Sequence, residues 1–334
     1  MTSGIVSLFS GCGGLDLGFH KAGFDIVWAN EYDKDIWETY EANHPATMLN
    51  KGDLRNISSA DIPDCVGIIG GPPCQSWSEA GSQRGIEDDR GKLFLEYVRV
   101  LKDKQPMFFL AENVSGMLHQ KHRDSISKII AAFESVGYCV SFKLLNAIDH
   151  NVPQERKRVI FVGYHRDLQR EFDFAKVERL PQIPTLKQAI WDLRETAIPA
   201  LATNKTNAEA CLAPNHEFMI GGFSSMYLSR NRVRSWEEPS FTIQAGGRHA
   251  PLHPQANKMV FIEKDKFVFD EMSLFPYRRL SVRECARIQT LPDEFILHYR
   301  DLGAAYKMIG NAVPVNLSLA LANAIYQDLH SNAA

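Results

Sequence analysis

Residues 5–19 read Ile5-Val6-Ser7-Leu8-Phe9-Ser10-Gly11-Cys12-Gly13-Gly14-Leu15-Asp16-Leu17-Gly18-Phe19. The apolar run over 5–9 predicts a strand, the glycine-rich segment 10–14 a tight turn, and 15–19 the start of a helix. Strand, glycine turn and helix together bring backbone N–H groups close to a nucleotide-like ligand. A second predicted strand, 25–30, delivers Glu31 twenty residues beyond Gly11, a spacing that suits an acid on two ribose hydroxyls. Taken alone, the pattern equally describes a plain turn and a surface glutamate. The turn is G-x-G-G and lacks the third glycine of G-x-G-x-x-G, which argues against a dinucleotide and for a single nucleoside.

The same grammar repeats outward from this stretch. A helix over 34–41 and a strand over 47–50 lead to Asp53, again an acid at a strand end. A strand over 66–69 stops at Gly70-Gly71-Pro72-Pro73 and presents Cys74. Ligands of open α/β sheets bind in the crevice beyond strand ends, so a thiol there is placed for chemistry, although free cysteines are also among the most buried residues. Residues 76–92 are polar and rich in Gly, Ser and charge, the composition of an active-site lid. A helix over 93–102 and an apolar strand over 106–111 then end in Glu112-Asn113-Val114, so Cys74 and Glu112 can share one pocket. After a helix over 124–136 and a strand over 138–144, Gln154, Arg156 and Arg158 alternate into a strand over 159–162. A period of two points Arg156 and Arg158 to one face, either as a guanidinium pair near the cysteine or a phosphate, or as a basic strand end in water.

Composition narrows the class. Hydrophobic residues make up 45% and charged residues 23% of the 334, the balance of an ordinary globular chain with a sizeable core. No basic leader and no apolar stretch near ~18 residues is evident, so a cytoplasmic location without a membrane partner is expected. The six cysteines show no C-x-x-C pair and no clustering with His, which suggests neither a metal site nor a disulfide framework. The net charge is −3, unevenly spread: residues 1–150 carry 14 Lys and Arg against 20 Asp and Glu, whereas residues 151–334 carry 23 against 20. The C-terminal half is the more plausible phosphate-facing side.

From about 169 to 276 the alternation of strand and helix is lost, and frequent prolines with Gly221-Gly222 and Gly246-Gly247 predict a loop-rich second domain. It carries Arg230, Arg232, Arg234 and Arg248, with Thr242 and Gln244 nearby, a set suited to reading a nucleic-acid groove or, more plainly, to a solvated basic ribbon. A helix over 280–291 starts at Ser281 with Glu284 three residues on, a capping-box pattern, and a final helix runs from about 314 to 329.

The segments Phe9-Ser-Gly-Cys-Gly-Gly, Gly71-Pro-Pro-Cys74-Gln, Glu112-Asn113-Val114, Gln154-x-Arg156-x-Arg158, Arg283-Glu284 and Gly310-Asn311-Ala312-Val313-Pro314 occur in the order found in cytosine-C5 DNA methyltransferases. The chain closely resembles that family from end to end. Residues 214–256 further resemble the GGCC-recognising bacterial restriction-modification group. The resemblance implies an α/β fold, a Rossmann-like S-adenosylmethionine-dependent methyltransferase sheet over 1–168 completed by 277–334, with a smaller target-recognition domain over 169–276.

It also implies roles. Cys74 adds as thiolate to C6 of a cytosine flipped out of double-stranded DNA, Glu112 is held protonated or hydrogen-bonded at N3 and N4, and Arg158 with Arg156 orients the base. Phe9, Gly11, Gly14, Glu31, Asp53, Asn311 and Val313 are the implied cofactor contacts. Arg230, Arg232, Arg234 and Arg248 are the implied guanine or phosphate contacts, with Thr242 and Gln244 as further candidates. A monomer is expected. A tRNA cytosine-C5 methyltransferase is the alternative, disfavoured by the long arginine-bearing domain.

Overall fold

Five runs, β1 (Gly4–Leu8), β2 (Asp25–Asn30), β3 (Met48–Asn50), β4 (Gly67–Gly70) and β5 (Phe108–Val114), pair in parallel in the order β3-β2-β1-β4-β5. Helices α1 (Gly14–Lys21), α2 (Trp37–Asn43), α3 (Asp89–Lys104) and α4 (Arg123–Ser135) follow β1, β2, β4 and β5 in turn. β1 and β4 are buried along their whole length, as strands covered on both faces by crossover helices must be. These belong to a computed structural model that describes residues 4–73, 89–118 and 123–330.

Two further strands complete the sheet, β6 (Tyr138–Asn146) on the edge and β7 (Lys157–His165) between it and β5. β7 runs antiparallel to both neighbours. Only ten residues separate β6 from β7, and no crossover helix lies among them, so the chain can only turn back. All seven predicted strands are present. Residues 89–92, expected as the end of a loop, instead begin α3; residues 76–88 lie outside the described residues.

The strand order reverses between β1 and β4, which makes a crevice beyond their C-terminal ends. Register levels that edge: Leu8 pairs with Gly70, and Gly70 with Ala111. Phe9, Gly71 and Glu112 therefore stand side by side at that edge, Glu112 still paired with Ile160 of β7. Beneath them the core is aromatic, with Phe109 and Phe133 rings 4.3 Å apart and Tyr97 of α3 donating its hydroxyl to the carbonyls of Ile68 (3.2 Å) and Leu110 (2.9 Å). Each such ring contributes about 2–3 kcal/mol by burial. The last helix, α8 (Val315–His330), returns to the first: the Ser318 hydroxyl donates to the Leu15 carbonyl at 2.6 Å.

The chain divides into two compact units, one of Met1–Asn146, Lys157–Glu178 and Leu317–Ala334, the other of Ala147–Arg156 and Arg179–Asn316. The second unit thus takes in 147–156 and 277–316, which the resemblance assigned to the first domain. It holds α5 (Leu186–Ile190), α6 (Val282–Ile288), α7 (Leu302–Asn311) and two small strand pairs, β8 (Ile198–Pro199) with β9 (Glu217–Phe218) and β10 (Val260–Glu263) with β11 (Lys266–Val268). The capping box of α6 is as expected, with Ser281 and Glu284 satisfying each other's backbone N–H. The fully buried Glu284 also accepts from both Arg278 Nη atoms at 2.8 Å, and Arg278 and His253 hold its carboxyl well below the usual range against the opposing effect of burial.

Helix α7 was not anticipated. Glycines at 303 and 310 mask its apolar face, but Asp301 caps it by accepting from the Ala304 N–H at 3.1 Å. A Cβ on Gly310 would stand 2.3 Å from the backbone of Gln244 and Ala245, so no other residue fits there. Residues Leu302–His330 are also long and apolar enough to cross a bilayer, contrary to the sequence reading, yet they form two helices, and 72% of the apolar 18-residue stretch within them is buried in the protein.

Candidate functional site

The turn after β1 is built on left-handed backbone, with φ of 56° at Phe9, 56° at Gly11 and 89° at Gly13. Glu31, at the end of β2, accepts the Gly11 N–H through Oε2 at 2.9 Å and the Asp33 N–H through Oε1 at 2.8 Å. Turn and acid, predicted separately, are therefore one structure. Gly14 opens α1 and is buried. Asp53 caps a short turn, but its carboxylate is gripped by Arg55, whose Nε and Nη2 donate at 3.0 and 2.5 Å. That hydrogen-bonded guanidinium holds the Asp53 carboxyl below its ordinary range.

Sequence reasoning missed what supports this turn. Asp16, in the first turn of α1, is fully buried and accepts from the Ser7 hydroxyl (2.7 Å) and the Tyr40 hydroxyl (2.6 Å). The Tyr40 ring stacks on His44 at 4.5 Å, and His44 Nε2 lies 2.0 Å from where a Cβ on Gly13 would be. Burial pushes the Asp16 carboxyl up to about 6 and, with His20, the His44 imidazole down to about 4. The available signal was a lone charge inside the apolar run Leu15-Asp16-Leu17. A nucleoside-bearing cofactor suits the turn: among the described residues no atom lies within 4 Å of where a Cβ on Gly11 would stand, and the buried Ser10 hydroxyl has no partner.

At the same sheet edge Glu112 pairs with Arg158, Oε1 to Nε at 2.7 Å, both side chains only 12% exposed. Arg158 opposes Val114 and Ile160 opposes Glu112, so the pair is the diagonal of an antiparallel ladder, within reach of a long side chain. The neighbouring Asn113 donates its amide to the Pro72 carbonyl at 3.0 Å, which fixes the lead-in to position 74. Pro72, Glu112 and Asn113 line a crevice walled by Phe94, Met117 and Phe133, an apolar setting that strengthens charge interactions. Cys74 itself lies outside the described residues.

The second unit holds the rest. Arg156, expected on one face with Arg158, has its guanidinium on three backbone carbonyls instead, those of Ile243 (2.9 Å), Gly310 (2.8 Å) and Ala312 (2.9 Å). Asn311 is exposed at the end of α7, and Val313 is buried. Arg230, Thr242 and Gln244 share a hollow of about 200 Å³ with Glu155, Phe241 and His249. The four arginines divide. Arg230 and Arg248 are exposed. Arg232 is buried and donates to the carbonyls of Tyr227 (2.8 Å) and Met226 (3.3 Å). Arg234 bridges Glu155 (2.7 Å) and Glu238 (3.1 Å) while lying 4.1 Å over the Phe241 ring.

Residues 4–327 match the model of the C-5 cytosine-specific DNA methylase family. The Type II methyltransferase M.FnuDI of Fusobacterium nucleatum is 55% identical over 328 residues, covering 97% of this chain and 94% of that one. M.MthTI of Methanothermobacter thermautotrophicus, also named a Type II methyltransferase, is 55% identical over 329 residues and 98% of each chain. Among solved structures, the S. pombe Dnmt2 methyltransferase aligns with a TM-score of 0.68 over 98% of this chain and 99% of that chain at 18% identity, a likeness of fold alone.

Proposed function

This chain belongs to the C-5 cytosine-specific DNA methylase family and is a DNA (cytosine-5-)-methyltransferase, and on that premise we propose a substrate, a cofactor and a mechanism. The substrate is the cytosine of a GGCC site in duplex DNA, the setting a cytoplasmic Type II restriction-modification system, the methyl donor S-adenosylmethionine. The observation that carries the mechanism is the level edge of β1, β4 and β5, which sets the glycine turn, the lead-in to Cys74 and Glu112 side by side.

The target base must leave the stack, at a cost of about a few kcal/mol. Cys74 as thiolate then forms a bond from sulfur to C6 as the C5–C6 double bond opens, and the electron pair moves into the ring, making C5 nucleophilic. Glu112, hydrogen-bonded at N3 and N4, stabilises that charge, while Arg158 fixes the carboxyl and orients the base. S-adenosylmethionine, when bound, supplies an electrophilic methyl group. Loss of the C5 proton to a base such as water restores the double bond and expels the Cys74 thiolate. Phe9, Gly11, Gly14, Glu31, Asp53, Asn311 and Val313 are the proposed cofactor contacts, on the strength of the family motifs that carry them.

For the DNA, the exposed Arg230, Arg248 and Gln244 are the residues able to reach bases or phosphates, with Thr242, whose hydroxyl donates to the Glu155 carbonyl at 2.5 Å, beside them, and Arg232 and Arg234 shape the loops that carry them. The GGCC assignment rests on the resemblance of residues 214–256. The test is to incubate the protein with plasmid, tRNA and S-adenosylmethionine, then map 5-methylcytosine by sequence. Methylation within GGCC is expected; methylation at another DNA site overturns the specificity, and methylation of tRNA alone overturns the substrate. Duplex carrying 5-fluorocytosine in the site should trap a covalent complex at Cys74, because fluorine blocks the last proton loss, and a complex that dissociates in denaturant would overturn the adduct.

A further inference from the structure

Ile243 has both of its backbone groups taken by two buried side chains from one short segment. Gln154 Oε1 accepts its N–H at 2.8 Å, and Arg156 Nη1 donates to its carbonyl at 2.9 Å. The same two side chains reach the end of α7. Arg156 Nη2 donates to the carbonyls of Gly310 and Ala312, and the Gln154 amide donates to Gln289 Oε1 at 2.9 Å, whose own amide donates to the Ile309 carbonyl at 2.8 Å. Gln154 is 0% and Arg156 1% exposed, so both are closed to solvent. Backbone pairing continues the tie, from the Glu155 N–H to the Ser240 carbonyl (2.9 Å) and from the Ser240 N–H to the Pro153 carbonyl (2.8 Å).

The flanking positions give this brace its meaning. Ile243 stands between Thr242 and Gln244, and Ala312 between Asn311 and Val313. The first pair is assigned above to DNA and the second to the cofactor, and the inference rests on that reading. We propose that Gln154 and Arg156 are positioning residues that hold the DNA-reading strip and the Asn311–Val313 segment in one rigid geometry, so that engagement of the recognised duplex tightens the cofactor contacts made by Asn311 and Val313. A planar guanidinium fork spans three carbonyls at once; a lysine ammonium on a flexible stem does not. The close approach at Gly310 leaves the strip and the helix end no slack, so a shift of one moves the other.

The test measures binding of S-adenosylhomocysteine, with and without a duplex carrying the mapped site, to the full-length protein and to Arg156→Lys and Gln154→Glu. In the parent chain the duplex is expected to tighten binding about tenfold, a typical coupling. In either variant that factor should fall to about twofold or less, while affinity without DNA stays within about twofold. A parent chain with no such tightening, or folded variants that keep it in full, would overturn the inference. Thermal melts establish folding, and if Arg156→Lys does not fold, Gln154→Glu alone decides. Failure of the underlying reading is distinct, because the parent chain would then methylate no duplex DNA at all.

Discussion

Arg158 Nε lies 2.7 Å from Glu112 Oε1, across the only antiparallel junction that β5 makes among the described strands. Each side chain is 12% exposed, so the pair is screened little by water, and cutting it leaves a charge stranded at the crevice. Arg158→Met is expected to lower methyl transfer by roughly 10²–10⁴-fold, in the range of a lost orienting or electrostatic group. Glu112→Gln should do the same, and the double variant should lose little more than either single one. Additivity of the two losses within about 0.5 kcal/mol in a double-mutant cycle would show that the residues act independently.

The arginines of the second unit should separate by assay. Arg230→Ala and Arg248→Ala are expected to weaken DNA binding with no change in melting temperature; a phosphate contact lowers the salt slope by about one, and a base contact relaxes specificity at one position. Arg234→Ala should instead lower stability by about 1–2 kcal/mol, since it removes a stacked guanidinium shared by Glu155 and Glu238. Chemical denaturation beside fluorescence anisotropy would decide, and a destabilised Arg230→Ala would contradict the division.

Gly13→Ala tests the cofactor turn directly. The residue sits at φ 89°, and the His44 ring already fills the place of the new methyl group. Left-handed strain of about 1–3 kcal/mol adds to the clash, so the variant should lose S-adenosylhomocysteine binding by at least tenfold and melt several degrees lower. Calorimetric titration giving parental affinity would mean that the turn is not a cofactor contact.

Much of the sheet was legible because buried parallel strands announce themselves as apolar runs closed by Gly and Pro, and the ends of those runs delivered Glu31, Glu112 and position 74. The direction of β7 was not, since antiparallel pairing depends on what lies between two strands and not on the strands themselves. Period two put Arg156 and Arg158 on one face, yet the chain enters β7 only at Lys157, so Arg158 is in the strand and Arg156 is not. Arg232 and Arg234 read as a basic ribbon because their partners, the carbonyls of 226 and 227 and the distant Glu155, carry no sequence signature. The support beneath the glycine turn escaped for the same reason: Ser7, Asp16, Tyr40 and His44 come from three separate elements and only tertiary packing unites them.

That support also gives a pH dependence whose sign can be fixed. Asp16 titrates near 6 in the folded chain against an ordinary 3.8, so between those values the native state holds the extra proton. Its contribution to stability is complete below pH 3.8 and is lost as pH rises through 6, a change of about 3 kcal/mol for two units. His44, lowered to about 4 from 6.5, acts in the opposite sense over nearly the same window, losing its contribution as pH falls. The Glu238 carboxyl, held at about 2 chiefly by the Ser235 N–H and Lys258, likewise contributes above its ordinary value and loses it in acid. The parent curve sums these, so the informative quantity is the stability of Asp16→Asn minus that of the parent. It should rise between pH 4 and pH 7, by up to about 3 kcal/mol, because only the parent carries the cost of ionising a carboxyl under the turn. Urea titrations at half-unit intervals would read it, and a difference that stays flat across that range would mean that Asp16 is already ionised in the folded protein throughout.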